Sequence, residues 1–109
     1  MAEERPLDGL AELRQKIDAL DEQLVRLLNA RAACALEIGR VKKTAGLPVY
    51  QPSRDTEVLR HVQSINPGPL DDAAVRRLFE RIIDEARRLE RIAEGHSSET
   101  ESHGRKTPE

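Results

Sequence analysis

Apolar residues recur along the first part of the chain in alternating steps of four and three. The series runs Leu13, Ile17, Leu20, Leu24 and Leu27, then Arg31, Cys34, Ile38 and Val41. This spacing holds its members to one face of a helix and reads as a heptad-like seam. No proline interrupts the stretch between Pro6 and Pro48. Proline suits the first turn of a helix, and Ala45-Gly46 ahead of Pro48 suits its end, so the pattern predicts one helix from about Leu7 to Thr44. Such a helix is about 57 Å long, against about 26 Å for the diameter of a compact domain of this size. Part of it must pack against something outside its own subunit.

Beyond this helix, Leu47 to Pro52 reads as a short extended linker holding two prolines. Ser53 is the expected cap of a second helix from Arg54 to about Ser64, with Val58, Leu59 and Val62 facing inward. Asn66-Pro67-Gly68-Pro69 is a break. Asp71 then caps a third helix to about Glu94, carrying Val75, Leu78, Phe79, Ile82, Ile83, Ala86 and Leu89. There is no β-type alternation, no internal repeat and no glycine-rich phosphate loop. The expected fold class is all-α, with residues 1–94 as one helical domain and the polar residues 95–109 as a disordered tail.

Composition sharpens the picture of a shared core. The 109 residues suffice for one domain with a modest core. Tyr50 and Phe79 are the only aromatic residues. A monomer would have to bury Leu, Ile and Val almost alone, so a core completed by a second subunit is expected. Eighteen Lys and Arg stand against twenty Asp and Glu, which argues against a nucleic-acid partner. No apolar run approaches the length of a membrane span, and Met1 to Arg5 holds no signal-peptide core, so a cytoplasmic protein is expected. Cys34, the sole cysteine, sits on the seam and reads as a small buried hydrophobe.

The seam is broken by one charge. An arginine at an inward position is costly unless an anion meets it there. Lys42 lies only about 20° around the helix from Arg31, roughly three turns further on. Two cations therefore share the face that should be core, as the walls of a small anionic pocket would. Arg14 lies about 100° around from Arg31 and some 25 Å along the helix, too far to share that pocket within one chain.

Residue by residue, the chain resembles the all-helical class of chorismate mutases. The matching stretches are Leu13-Arg14-x-x-Ile17-Asp18-x-Leu20-Asp21, Leu27-Leu28-x-x-Arg31, Ile38-Gly39-x-Val41-Lys42, Leu47-Pro48-Val49-Tyr50, Arg54-Asp55-x-Glu57-Val58-Leu59 and Leu78-Phe79-x-x-Ile82-Ile83. Together they cover roughly residues 7 to 94. The resemblance implies an intertwined homodimer of three-helix chains whose long first helices cross between subunits, with chorismate as substrate and no metal or cofactor. It implies that Arg14, reaching into the partner's site, acts with Arg31 and Arg54 to hold the two carboxylates of chorismate. Lys42 would donate to the ether oxygen of the enolpyruvyl group, and Asp55 would contact the ring hydroxyl.

Four positions depart from the family pattern. Gln51 stands where the family often has Asp, and Asp55 where it often has Glu. Ala86 replaces a Ser or Thr that helps bind carboxylate. Glu90 replaces a Gln that donates to the ether oxygen, so Glu90 must be protonated to help. Its place on the buried stripe of the third helix would raise its pKa.

Other readings compete with these. Arg31 could pair with a neighbouring carboxylate, Lys42 could be a solvated helix-end lysine, Arg54-Asp55 could simply open a helix, and Glu90 could pair with Arg87 or Arg91. Arg81, Arg87, Arg88 and Arg91 alternate with acids and read as a solvated helix face. His61, His96 and His103 lack metal-ligand spacing. Two rivals to the mutase reading are an isochorismate pyruvate lyase of the same fold and a non-catalytic helical dimerisation or regulatory module.

Overall fold

A computed structural model describes the backbone of residues 6–103 and the side chains of residue 7 and residues 9–95. Among the described residues there are three helices and no strand: α1 (Pro6–Ala45), α2 (Pro52–Ser64) and α3 (Asp72–His103). None is long and apolar enough to cross a membrane.

The end of α1 follows from Gly46. Its φ of 72° is open to glycine and strained for other residues. That turn lets the Leu47 N–H donate to the Lys42 carbonyl at 2.8 Å and the Gly46 N–H to the Lys43 carbonyl at 3.2 Å. Two otherwise orphaned carbonyls are satisfied, and Lys42 and Lys43 place cations at the negative end of the helix dipole.

The second helix starts earlier than expected. Gln51, not Ser53, is its N-cap, and Pro52 occupies the first helical turn. Proline has no N–H to leave unsatisfied there and its φ is already helical, so it opens the helix and Ser53 falls inside it. In the following turn, the Asn66 amide donates to the Leu70 carbonyl at 2.7 Å and to Asp72 Oδ1 at 2.9 Å. Asp71 caps α3 as expected, its Oδ1 accepting from the Ala74 N–H at 2.7 Å. The third helix runs on past Glu94 to His103. Gly95 is the one weak helix former at that point, costing about 1 kcal/mol relative to Ala, and no proline follows before Pro108. The rest of the expected tail, 104–109, lies outside the described residues, as do the side chains of His96 and His103.

The chain divides into two units, Met1–Arg31 and Ala32–Glu109, with the boundary inside α1. In the first unit the described residues are all helix, and Leu13, Ile17, Leu20, Leu24 and Leu27 are 51–65% exposed. In the second, α2 packs on α3. The core there is Leu59 and Val62 from α2 with Ile83 from α3, each 7–9% exposed. Val58, Val75, Phe79, Ile82, Ala86 and Leu89 are half-buried around it, whereas Leu78 is exposed. Cys34 is also exposed, which corrects the expectation that it is buried. It shares the seam with Ile38 and Val41, both exposed, and none of the described residues covers them.

Candidate active site

Within the unit Ala32–Glu109, four of the side chains expected to carry chemistry, Lys42, Gln51, Asp55 and Glu90, come from α1, the linker, α2 and α3 respectively. Lys42 is half-buried on the last turn of α1. Its ammonium donates to Gln51 Oε1 at 2.9 Å and to the Val49 carbonyl at 3.3 Å. Because the Gly46 turn folds the chain back, the linker runs within reach of the helix end it has just left. Lys42 is thus tethered by the linker rather than free in solvent, and Gln51 supplies a side-chain anchor.

Glu90 lies on α3, half-buried, with its carboxyl against Gly39 of α1. A methyl group built on Gly39 would lie 3.9 Å from Glu90 Oε2. Desolvation pushes the Glu90 pKa above the ordinary glutamate value, and the charge of Glu94 adds to the rise. The charges of Arg87 and Lys42 oppose it without cancelling it. The carboxyl group therefore holds its proton more readily than a solvated glutamate does. No ion pair joins Glu90 to Arg87 or Arg91 within 4 Å among the described residues.

Asp55, in the first turn of α2, is bound from across the core. Its Oδ2 accepts from the Arg87 guanidinium at 2.5 Å, and both side chains are only 29% exposed. The same guanidinium lies 4.6 Å from the centroid of the Tyr50 ring. This corrects the placing of Arg87 on the solvated face of α3. Arg81 and Arg88 do belong to that face, each pairing with Glu85. Arg87 also has an acid three residues away on each side, Asp84 and Glu90, so nothing in the local sequence sets it apart.

The remaining expected residues are more dispersed. Arg54 is exposed and pairs with Glu57 at 3.2 Å on the outer face of α2. Ala86 is half-buried on α3 and offers no polar group. Arg14 and Arg31 belong to the unit Met1–Arg31, where Arg14 is exposed and Arg31 half-buried. His61 is exposed, as expected. A cavity of about 420 Å³ opens beside Glu90, walled also by Leu36, Gly39, Tyr50, Arg87 and Arg91. Lys42, Asp55 and Ala86 are not among its walls, so it adjoins the expected pocket and does not coincide with it. Among the described residues no group of three or more His, Cys, Asp or Glu side chains is arranged to hold a metal ion.

The second unit thus gathers a tethered ammonium, a carboxyl of raised pKa and an ion-paired carboxylate. The family model for chorismate mutase type II matches residues 13–91, and the chain belongs to that family. It is 46% identical over 88 residues to the bifunctional chorismate mutase/prephenate dehydratase of Pseudomonas aeruginosa, covering 76% of this chain and 24% of the relative. The corresponding protein of Aquifex aeolicus is 35% identical over 89 residues, which is 78% of this chain and 25% of that one. The chain thus spans about a quarter of the length of these relatives. The chorismate mutase structure (form II) from Thermus thermophilus superposes with a TM-score of 0.73 at 36% identity, over 76% of this chain and 94% of that one.

Proposed function

We propose that this chain rearranges chorismate to prephenate, for phenylalanine and tyrosine synthesis in the cytoplasm, as a homodimer with two equivalent sites. The observation that carries the reading is the conjunction of tethered Lys42 with Glu90, whose pKa is raised by desolvation. The reaction is unimolecular and pericyclic. The ether C–O bond breaks as a C–C bond forms, and no nucleophile takes part. An enzyme contributes by holding the folded, near-attack conformer and stabilising charge on the ether oxygen.

The Lys42 ammonium has three N–H donors, of which the Val49 carbonyl and Gln51 Oε1 take two. The third donates to the ether oxygen. Protonated Glu90 donates its O–H to the same oxygen, whereas ionised Glu90 would repel it. Gln51 serves the substrate by holding Lys42, and Asp55 accepts from the ring hydroxyl. Arg31, Arg54 and Arg14 of the partner subunit hold the two carboxylates, for which the forked guanidinium suits better than a lysine. Arg54 gives up Glu57 to do so, a small loss because exposed ion pairs contribute little. Ala86 supplies no hydroxyl to this set.

The exposed stripe of α1 supports the homodimer. Five large apolar side chains in helical register lie more than half exposed, and burying a leucine fully contributes about 1.5–3 kcal/mol. A second copy of α1 offers a matching stripe. The test is loss of chorismate absorbance with purified protein, with prephenate identified as product. Salicylate formation from isochorismate, with chorismate left intact, would overturn the reading.

A further inference from the structure

Arg87 breaks the charge pattern of its own helix. Arg76, Arg81 and Arg88 pair within α3, with Glu80, Glu85 and Glu85 respectively, and all are half exposed or more. Arg87 instead reaches to another helix, 32 residues away in sequence, and binds Asp55. Tyr50 of the linker stacks on the same guanidinium. A planar guanidinium can engage both at once, one through its edge and one through its face, which an ammonium cannot. Three elements of the unit therefore meet at one cation.

The partner in this contact is the acid read above as accepting from the ring hydroxyl. Asp55 is one methylene shorter than glutamate, and a lone aspartate in a first helical turn is free to swing toward the helix amides. The Arg87 bond takes Oδ2, and among the described residues no hydrogen bond engages Oδ1. We infer that Arg87 is a positioning residue for the reaction: it holds Asp55 through Oδ2, braced by Tyr50, and leaves Oδ1 to accept from the substrate's ring hydroxyl. The inference rests on the mutase reading of Asp55. It assigns a role in substrate affinity to an arginine that itself touches no substrate.

Arg87 has a second, separable effect. Its charge opposes the rise of the Glu90 pKa, alongside Lys42 from α1 and against Glu94 from α3. Arg91 lines the same cavity from α3, and Arg40 and Lys43 line it from α1. Removing Arg87 should therefore let Glu90 keep its proton to higher pH. Arg87→Lys keeps the charge and so separates this effect from loss of the contact with Asp55.

The test is steady-state kinetics on chorismate from pH 5 to 9 for the wild type, Arg87→Ala, Arg87→Lys, Asp55→Ala and the double variant Arg87→Ala/Asp55→Ala. Circular dichroism verifies folding of each. Arg87→Ala should raise KM about tenfold or more, the scale of a lost hydrogen bond to a charged group, with kcat changed far less. The double variant should be no worse than Asp55→Ala alone, because the two residues act as one unit. The alkaline limb should move upward in Arg87→Ala and stay in place in Arg87→Lys, which keeps the charge but loses the fork. Should Arg87→Ala fail to fold, an intermediate KM in Arg87→Lys carries the same expectation. Unchanged KM in folded Arg87→Ala or Arg87→Lys, or additive losses in the double variant, would overturn the inference while the mutase reading stands. A wild type unable to convert chorismate would overturn both.

Discussion

The two units of this chain solve the same problem with different means. In Ala32–Glu109, α2 and α3 bury Leu59, Val62 and Ile83 between them, and polar side chains join separate elements: Lys42 to the linker, Asp55 to α3, Asn66 to the start of α3. In Met1–Arg31 the apolar residues are as regularly spaced, yet they stay exposed, and the Asn29 amide bonds locally to the Val25 carbonyl. Helix hydrogen bonds alone hold a helix only marginally in water, since most helical stability comes from packing an apolar face. The first unit thus carries the means for a packed structure without the surface to pack on. The second unit carries a core and the polar contacts that tie its elements together.

The comparison is broken most severely by removing the central cation. Lys42→Ala should lower kcat/KM on chorismate at least about a hundredfold, the scale of a lost oxyanion donor, while circular dichroism stays near the wild type. Near-normal activity in the folded variant would remove Lys42 from the chemistry.

The next effect belongs to the other unit. Leu20→Asp puts a charge in the middle of the exposed stripe. If a second copy covers that stripe, the variant should lose about 3 kcal/mol or more of dimer stability, combining a lost leucine with a buried charge. Sedimentation would show monomers at concentrations where the wild type is dimeric. If the stripe faces solvent, sedimentation and thermal stability should both be unchanged.

A smaller effect, and a finer one, concerns Glu90. Desolvation raises its pKa above the ordinary glutamate value. As a donor it acts only when protonated, so activity is present below the raised pKa and falls as pH climbs through it. Glu90→Gln keeps an N–H donor that does not titrate, and its profile should be flat from pH 5 to 9 with activity preserved at the alkaline end. Glu90→Ala should be low throughout. A Glu90→Gln profile that tracks the wild type would contradict the donor role.

What could be read from the sequence divides along the same line. The ends of α1 were legible because their causes are local: Pro6 at one end, Gly46 and Pro48 at the other. The capping of α3 by Asp71 was legible for the same reason. The half-burial of Glu90 and the rise of its pKa also follow from its stripe position on α3. Pro52 outcompeted Ser53 for the start of α2 because its fixed φ fits the first helical turn, a preference that outweighed the hydroxyl cap. Two features are not visible in the sequence. Cys34 reads as buried because the seam looks like core, yet it is exposed among the described residues. Arg87 reads as solvated because Asp84 and Glu90 stand at pairing distance in sequence, whereas its partner Asp55 lies on another helix.

In the homodimer proposed above, the first unit packs against a second copy and delivers Arg14 to that copy's site. Mixing Arg14→Ala with Arg31→Ala tests it most directly. Each variant alone should be poorly active. After subunit exchange, a heterodimer carries both lesions in one site and none in the other, so activity should recover, up to one working site per heterodimer. Exchange verified by mass spectrometry without any recovery of activity would contradict a site built from two chains.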